Sequence, residues 1–315
     1  MSADTIRLLV LAGPTASGKT ALAMALAERF DGEIISADSR QIYRLMDIGT
    51  AKPTQAERAR APHHLLDVVW PDEPYSLAQY QADATRAIAD VWARGHLPLL
   101  VGGTGLYVRA VVDGLAIPAV PPQPELRAQL YGDAEQHGPL ALHARLAALD
   151  PAGAARIDPT NVRRLVRALE VCLVTGQPFS AQQGARPTPY TPLLLGLNTE
   201  RARLYAWADH RVEDMLAAGL LAEVEALIAR GYTWDLPALS SLGYRELGAH
   251  LRGEAPLAEA TARMKLATHA YIRRQLTWFR PDERIHWLDA ADQGLVEDAT
   301  RRTVAWQPNH SAQPD

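Results

Sequence analysis

Apolar residues follow two rhythms along this chain. Short, nearly continuous apolar runs stand at residues 6–12, 33–37, 64–69, 97–101, 193–197 and 285–288. Runs of that length without polar alternation predict strands buried on both faces. Between them the period lengthens to that of helices. Residues 21–30 form one such stretch. Another, between the third and fourth runs, opens at a candidate N-cap, Ser76, and stops at Gly95. Residues 210–230 carry an apolar stripe through Val212, Met215, Leu216, Leu220, Val224, Leu227 and Ile228, and Gly231 ends it. That spacing predicts a single amphipathic helix. Strands alternating with helices predict an α/β fold, a mostly parallel sheet with helices on both faces.

The alternation breaks after the fourth run. Residues 118–124 are Pro-rich, residues 124–176 read as helix only, and a Pro/Gln/Gly-rich stretch over 177–192 leads back to a strand. These marks predict a helical insertion over residues 115–192 in a core built from residues 1–114 and 193–306. Residues 307–315 are polar and are expected to form a disordered tail.

The strongest local signal lies between the first run and the helix behind it. Gly13-Pro14-Thr15-Ala16-Ser17-Gly18-Lys19-Thr20 fits the phosphate-loop pattern GxxxxGK[ST] without a mismatch, in a strand–loop–helix setting. Its backbone N–H groups and the helix N-terminus suit a polyanion; Lys19 can reach the outer phosphate and the Thr20 hydroxyl can sit on Mg²⁺. A di- or triphosphate is therefore expected here.

Composition narrows the setting. The 315 residues, 48% hydrophobic and 22% charged, suit a soluble globular protein with a sizeable core. A net charge of −4 gives no global pull towards nucleic acid, so such binding must come from local patches. One cysteine, Cys172, excludes an intramolecular disulfide and fits a cytoplasmic location, with a packed core thiol as its expected state. Neither a signal peptide nor a membrane span is expected.

Three further features bear on chemistry. Asp38 follows the second run, where carboxyl ends of parallel strands line a ligand crevice; it could serve as general base, as metal ligand, or as the cap of a following helix. The fourth run ends in Gly102-Gly103-Thr104-Gly105, not in the metal-binding Asp common in ATP-using phosphate-loop enzymes. This reads either as a surface for close approach or as a tight turn. Basic residues cluster at Arg156, Arg163, Arg164 and Arg167, and again over residues 263–280, where five Lys/Arg interleave with His269, Tyr271, Trp278 and Phe279 and no acidic side chain. Such stretches suit an RNA backbone and unstacked bases, or are solvated helix faces.

Together these segments resemble the motif set of bacterial tRNA dimethylallyltransferases, the IPP transferase family. The residues that carry the resemblance are the phosphate loop, residues 35–43 with 47–53, residues 101–107, 163–171, Leu242-Gly243-Tyr244-Arg245-Glu246, and residues 274–280. It runs in order over about residues 6 to 290. It implies a phosphate-loop-kinase-like core with a helical insertion, and transfer of a dimethylallyl group from dimethylallyl diphosphate to N6 of the adenosine just 3′ of the anticodon. By the resemblance, the loop Gly13 to Thr20 binds the diphosphate with Mg²⁺ on Thr20, and Arg211 holds the same group. Asp38 is the base, and Lys19, Thr104 and Arg211 join it in the reaction. Asp38, Ser39, Arg40, Gln41, Thr104, Arg127, Arg163, Arg164, Leu165, Val166 and Arg167 contact the tRNA anticodon stem-loop. Trp207 stands where many members have an arginine. A monomer is expected. The competing reading is an ATP-dependent small-molecule kinase with the insertion as its lid.

Overall fold

The computed structural model describes residues 5–307; the expected polar tail lies outside them from residue 308 onward. Six strands form one sheet: β1 (Ile6–Ala12), β2 (Gly32–Ser36), β3 (His63–His64), β4 (Leu97–Gly102), β5 (Tyr190–Asn198) and β6 (Ile285–Asp289). Their order is β3-β2-β4-β1-β5-β6, and every pair is parallel.

Period-two geometry explains why the runs looked continuous. Leu8, Val10 and Ala12 of β1 share one face with Ile35, Leu100 and Leu194, and the helices Leu77–Ala93 and Gly105–Val112 cover it through Tyr80, Ala84, Ile88, Val108 and Val111. Leu9 and Leu11 face the other way with Ile34, Leu99 and Leu195, under Leu22 and Leu26 of the helix Lys19–Arg29 and Ala299 of Leu295–Trp306. Each leucine wholly buried this way contributes about 2 kcal/mol. Ser76 caps its helix as expected: its Oγ accepts the Gln79 N–H at 3.2 Å, while Gln79 Oε1 accepts the Ser76 N–H at 2.8 Å.

Two expectations are corrected. The third strand is two residues long and does not run over 64–69. Leu65 and Asp67 adopt φ of 62° and 55°, which no ladder accommodates, and the N–H groups of Val68 and Val69 turn to Ile42 O at 2.7 and 3.0 Å. The stripe over 210–230 belongs to two helices, Arg201–Ala217 and Leu220–Ala229, separated at Gly219 with φ of 100°.

The chain divides into two compact units, Asp113–Thr188 and the chain on either side of it. The first is helical, with helices Pro124–His137, Pro139–Leu149, Pro151–Ala154 and Val162–Thr175 around Leu130, Leu142, Leu146, Leu165 and Leu169. Among the described residues no helix is long and apolar enough to cross a membrane.

Candidate active site

A cavity of about 430 Å³ opens at the carboxyl ends of β1, β2 and β4. The phosphate loop forms one wall. It leaves β1 at Gly13, whose φ of 144° brings the backbone against β5: a Cβ there would meet Leu197 O at 2.5 Å. Ala16 sits at φ 63°, a left-handed conformation that costs a non-glycine residue about 1 kcal/mol or more, and such strain gathers at ligand sites. Ser17 Oγ donates to Pro14 O at 2.8 Å and Lys19 Nζ to the same carbonyl at 2.6 Å. Thr20 lines the cavity.

The electrostatics are those of an anion site. Lys19 is half-buried as a residue, but its ammonium lies deep among protein atoms. That burial, with the nearby Arg211 guanidinium, pulls its pKa down to about 7, against the opposing pull of Asp38. Burial also lowers Arg211, again opposed by Asp38. Two desolvated basic groups thus face one carboxylate, an arrangement with room for further negative charge.

Asp38 stands at the mouth of β2. No helix follows it, since the next one is Gln55–Arg60, so it is not a helix cap. Its Oδ1 accepts the Arg40 N–H at 2.8 Å and closes a local turn; Oδ2 has no hydrogen-bond partner among the described residues. Thr104 holds this turn from the β4 side. Its Oγ1 accepts the Ser39 N–H at 3.0 Å and donates to Ser39 Oγ at 3.3 Å, and its N–H donates to Ala37 O at 3.1 Å. Tyr271 lines the same cavity, where burial and the Asp38 charge raise its hydroxyl to about 12 while a Thr104 hydrogen bond opposes them.

Other site candidates are engaged within the protein. Arg40 donates to Pro237 O at 2.7 Å and lies 3.5 Å from Ser240 Oγ. Gln41 donates to Thr50 O and Ala51 O at 3.3 and 3.1 Å and accepts from Ser36 Oγ at 2.9 Å. In the helical unit, Leu165 and Val166 are buried in its core, so their side chains offer nothing to a ligand. Arg127 grips buried Glu170 through two bonds of 2.8 Å, and Arg167 reaches it at 2.6 Å. Burial disfavours the Glu170 carboxylate, but these bonds and the Gln123 N–H hold its pKa below the usual range. Arg163 and Arg164 remain exposed.

The basic stretch 263–280 lies mostly within the helix Leu257–Phe279. That helix buries Met264, Ile272, Leu276 and Phe279, so Phe279 is a core residue and not a base platform. Lys265 pairs with Glu213 at 2.6 Å, and His269 stacks on Tyr205 with ring centres 4.0 Å apart. Trp207 lies 36% exposed and lines neither this cavity nor its neighbour around Ile48 and Met215. Sequence reasoning missed Lys52, whose buried ammonium donates to Tyr43 O, Asp47 and Asp67 at 2.6 to 2.7 Å on the cavity flank. It also assigned no role to Gln275; both residues lie in segments that carry the resemblance, but a lone lysine or amide has no spacing signal of its own.

The chain matches known proteins over most of its length. The family described as IPP transferase matches residues 41–282, and that described as isopentenyl transferase matches residues 6–67. A protein named tRNA dimethylallyltransferase from Chloroflexus aggregans is 58% identical over 273 residues, 87% of this chain and 92% of the relative. One of the same name from a Roseiflexus species is 54% identical over 301 residues, 96% and 99% of the two chains. Among solved structures, the full-length tRNA isopentenylpyrophosphate transferase of Bacillus halodurans superposes with a TM-score of 0.72 at 39% identity, covering 95% of this chain and 96% of its own. A eukaryotic dimethylallyltransferase acting on tRNA gives 0.78 at 28% identity, covering 95% and 78%.

Proposed function

The chain belongs to the IPP transferase family, and from that premise we propose that it transfers a dimethylallyl group from dimethylallyl diphosphate to N6 of the tRNA adenosine immediately 3′ of the anticodon. The observation that carries this reading is a cavity lined by the phosphate loop, by Lys19 and Arg211, and by Asp38, whose turn Thr104 holds from outside the lining. β4 ends in Gly102-Gly103 where an ATP-using enzyme would commonly carry a metal-binding Asp, which speaks against the kinase alternative.

In this reading the donor diphosphate lies on the phosphate loop between Lys19 and Arg211. N6 of adenine forms a bond to C1 of the dimethylallyl group as the bond from C1 to the bridging oxygen breaks, and the diphosphate leaves with that electron pair. Charge grows on the leaving oxygens, where Lys19, Arg211 and the loop N–H groups stabilise it. The exocyclic amine is a weak nucleophile because its lone pair is delocalised into the ring. Asp38 orients it and takes its proton, and Thr104 keeps the Asp38 turn in place. The reacting base must leave its stack to reach this cavity.

A divalent cation fits as a partner of the donor. No group of three or more His, Cys, Asp or Glu among the described residues could hold an ion unaided. Mg²⁺ accepts few protein ligands beside water and substrate phosphates, so Thr20 with the donor oxygens would hold it. When bound, it neutralises charge on the leaving diphosphate.

Arg163 and Arg164 supply phosphate contacts for the tRNA anticodon stem-loop, while Arg127 and Arg167 hold Glu170 and shape the helical unit. Arg40 and Gln41 act by holding the loop on which Asp38 and Ser39 meet the RNA. The protein works as a cytoplasmic monomer. The test is mass spectrometry of nucleosides from an unmodified tRNA transcript incubated with the protein, dimethylallyl diphosphate and Mg²⁺. Dimethylallyladenosine at the predicted position is expected. Unmodified tRNA, from protein that binds the donor, would overturn the proposal.

A further inference from the structure

Gln275 is buried near the end of the 23-residue helix Leu257–Phe279, far along the chain from both loops it touches. Its Oε1 accepts the Thr15 N–H of the phosphate loop at 2.8 Å, and its Nε2 donates to Gly103 O at the end of β4 at 2.9 Å. The two bonds need an acceptor at one end and a donor at the other, so the amide has one orientation. A Cβ on residue 103 would lie 2.1 Å from Nε2, so Gly103 leaves the amide the room it occupies. The next residue, Thr104, holds the Ser39 N–H, and Asp38 adjoins Ser39. One amide therefore joins the donor cradle to the turn that carries the proposed base.

We propose that Gln275 is a positioning residue for the transfer step, setting the separation between the donor on the phosphate loop and the amine held by Asp38. The inference rests on the dimethylallyl transfer proposed above. Other contacts hold each wall by itself: Lys19 and Ser17 brace the phosphate loop, and Thr104 braces the Asp38 turn. Loss of the amide link should therefore spare binding on either side and loosen their mutual register. A reaction that needs near-attack geometry is sensitive to displacement of about 1 Å, at a cost of about 10²-fold in rate.

The substitutions are Gln275→Met, which keeps length and removes both bonds, and Gln275→Glu, which keeps the acceptor for Thr15. Single-turnover transfer at saturating donor and tRNA should fall about 10- to 100-fold in Gln275→Met, with the dissociation constants for both substrates within about threefold of the parent. Gln275→Glu should lie between, and its rate relative to the parent should rise as pH falls, because a protonated carboxyl can again donate to Gly103 O. A rate within about threefold of the parent in Gln275→Met, or a loss confined to donor affinity, would overturn the inference. Amide hydrogen exchange at Thr15 gives a readout independent of transfer: exchange should quicken at least about tenfold in Gln275→Met, and unchanged exchange in a folded variant would also overturn it. A parent that transfers nothing while Thr15 exchange still responds would sink the function and leave the link between the loops standing.

Discussion

Lys19 makes donor affinity a function of pH in a way that can be worked out. With its pKa at about 7 in the free protein, the side chain is about nine-tenths charged at pH 6, half at pH 7 and a tenth at pH 8. A diphosphate between Lys19 and Arg211 favours the charged form and raises the pKa on binding. Donor binding above pH 7 must then take up a proton, and Lys19 alone should weaken affinity about tenfold from pH 6 to pH 8, or about 1.4 kcal/mol. The diphosphate also titrates, so the comparison is with Lys19→Met, which retains that background. Calorimetric titration with dimethylallyl diphosphate and Mg²⁺, without tRNA, in buffers of different ionisation enthalpy reads the proton count directly. About half a proton should be taken up at pH 7 by the parent beyond the Lys19→Met value. Equal pH slopes and equal proton counts in the two proteins would refute the reasoning. The free protein should behave in the opposite sense: with the lysine at 10.5 when unfolded and about 7 when folded, the unfolded chain holds more protons between those values, so stability should rise with pH across that window.

Two further outcomes are expected. Removing the charges of Arg163 and Arg164 together should raise the tRNA KM and reduce the salt slope of tRNA binding by about two, with the donor KM unchanged; filter binding across a salt series reads this, and an unchanged slope would place the RNA elsewhere. Glu170→Ala should cost roughly 2 kcal/mol of stability, discounted for the partial exposure of Arg127 and Arg167, and thermal melts should show it; a change under about 0.5 kcal/mol would deny the three-residue cluster any structural weight.

The central sheet could be read from the chain because both faces of β1, β2, β4 and β5 are covered, which leaves nearly uninterrupted apolar runs. The exceptions have local causes. His64 to Val69 is apolar enough for a strand, but Asp67 is needed by Lys52 and Arg58, and the backbone bends through left-handed conformations to supply it. One apolar stripe spans two helices because Gly219 breaks the chain without breaking the periodicity. At the site, the phosphate loop and Asp38 were legible because each sits at the end of a strand. Pairings across long sequence separations were not. Arg127 meets Glu170 across 43 residues, and Thr15 meets Gln275 across 260. The arginines of residues 163–167 looked equivalent until helix geometry turned Arg167 inward and left Arg163 and Arg164 outside.

The central claim is that Asp38 accepts the proton of the attacking amine within the cavity that holds the diphosphate. The measurement that tests it most directly is single-turnover transfer by Asp38→Asn, with saturating dimethylallyl diphosphate and tRNA, across a Mg²⁺ titration. Asparagine keeps the shape and the Arg40 N–H bond but cannot accept the proton. The rate should fall by about 10²- to 10⁴-fold at every Mg²⁺ concentration, with tRNA affinity within a few-fold of the parent. Recovery of the rate by added Mg²⁺, or a rate within about threefold of the parent, would contradict the claim.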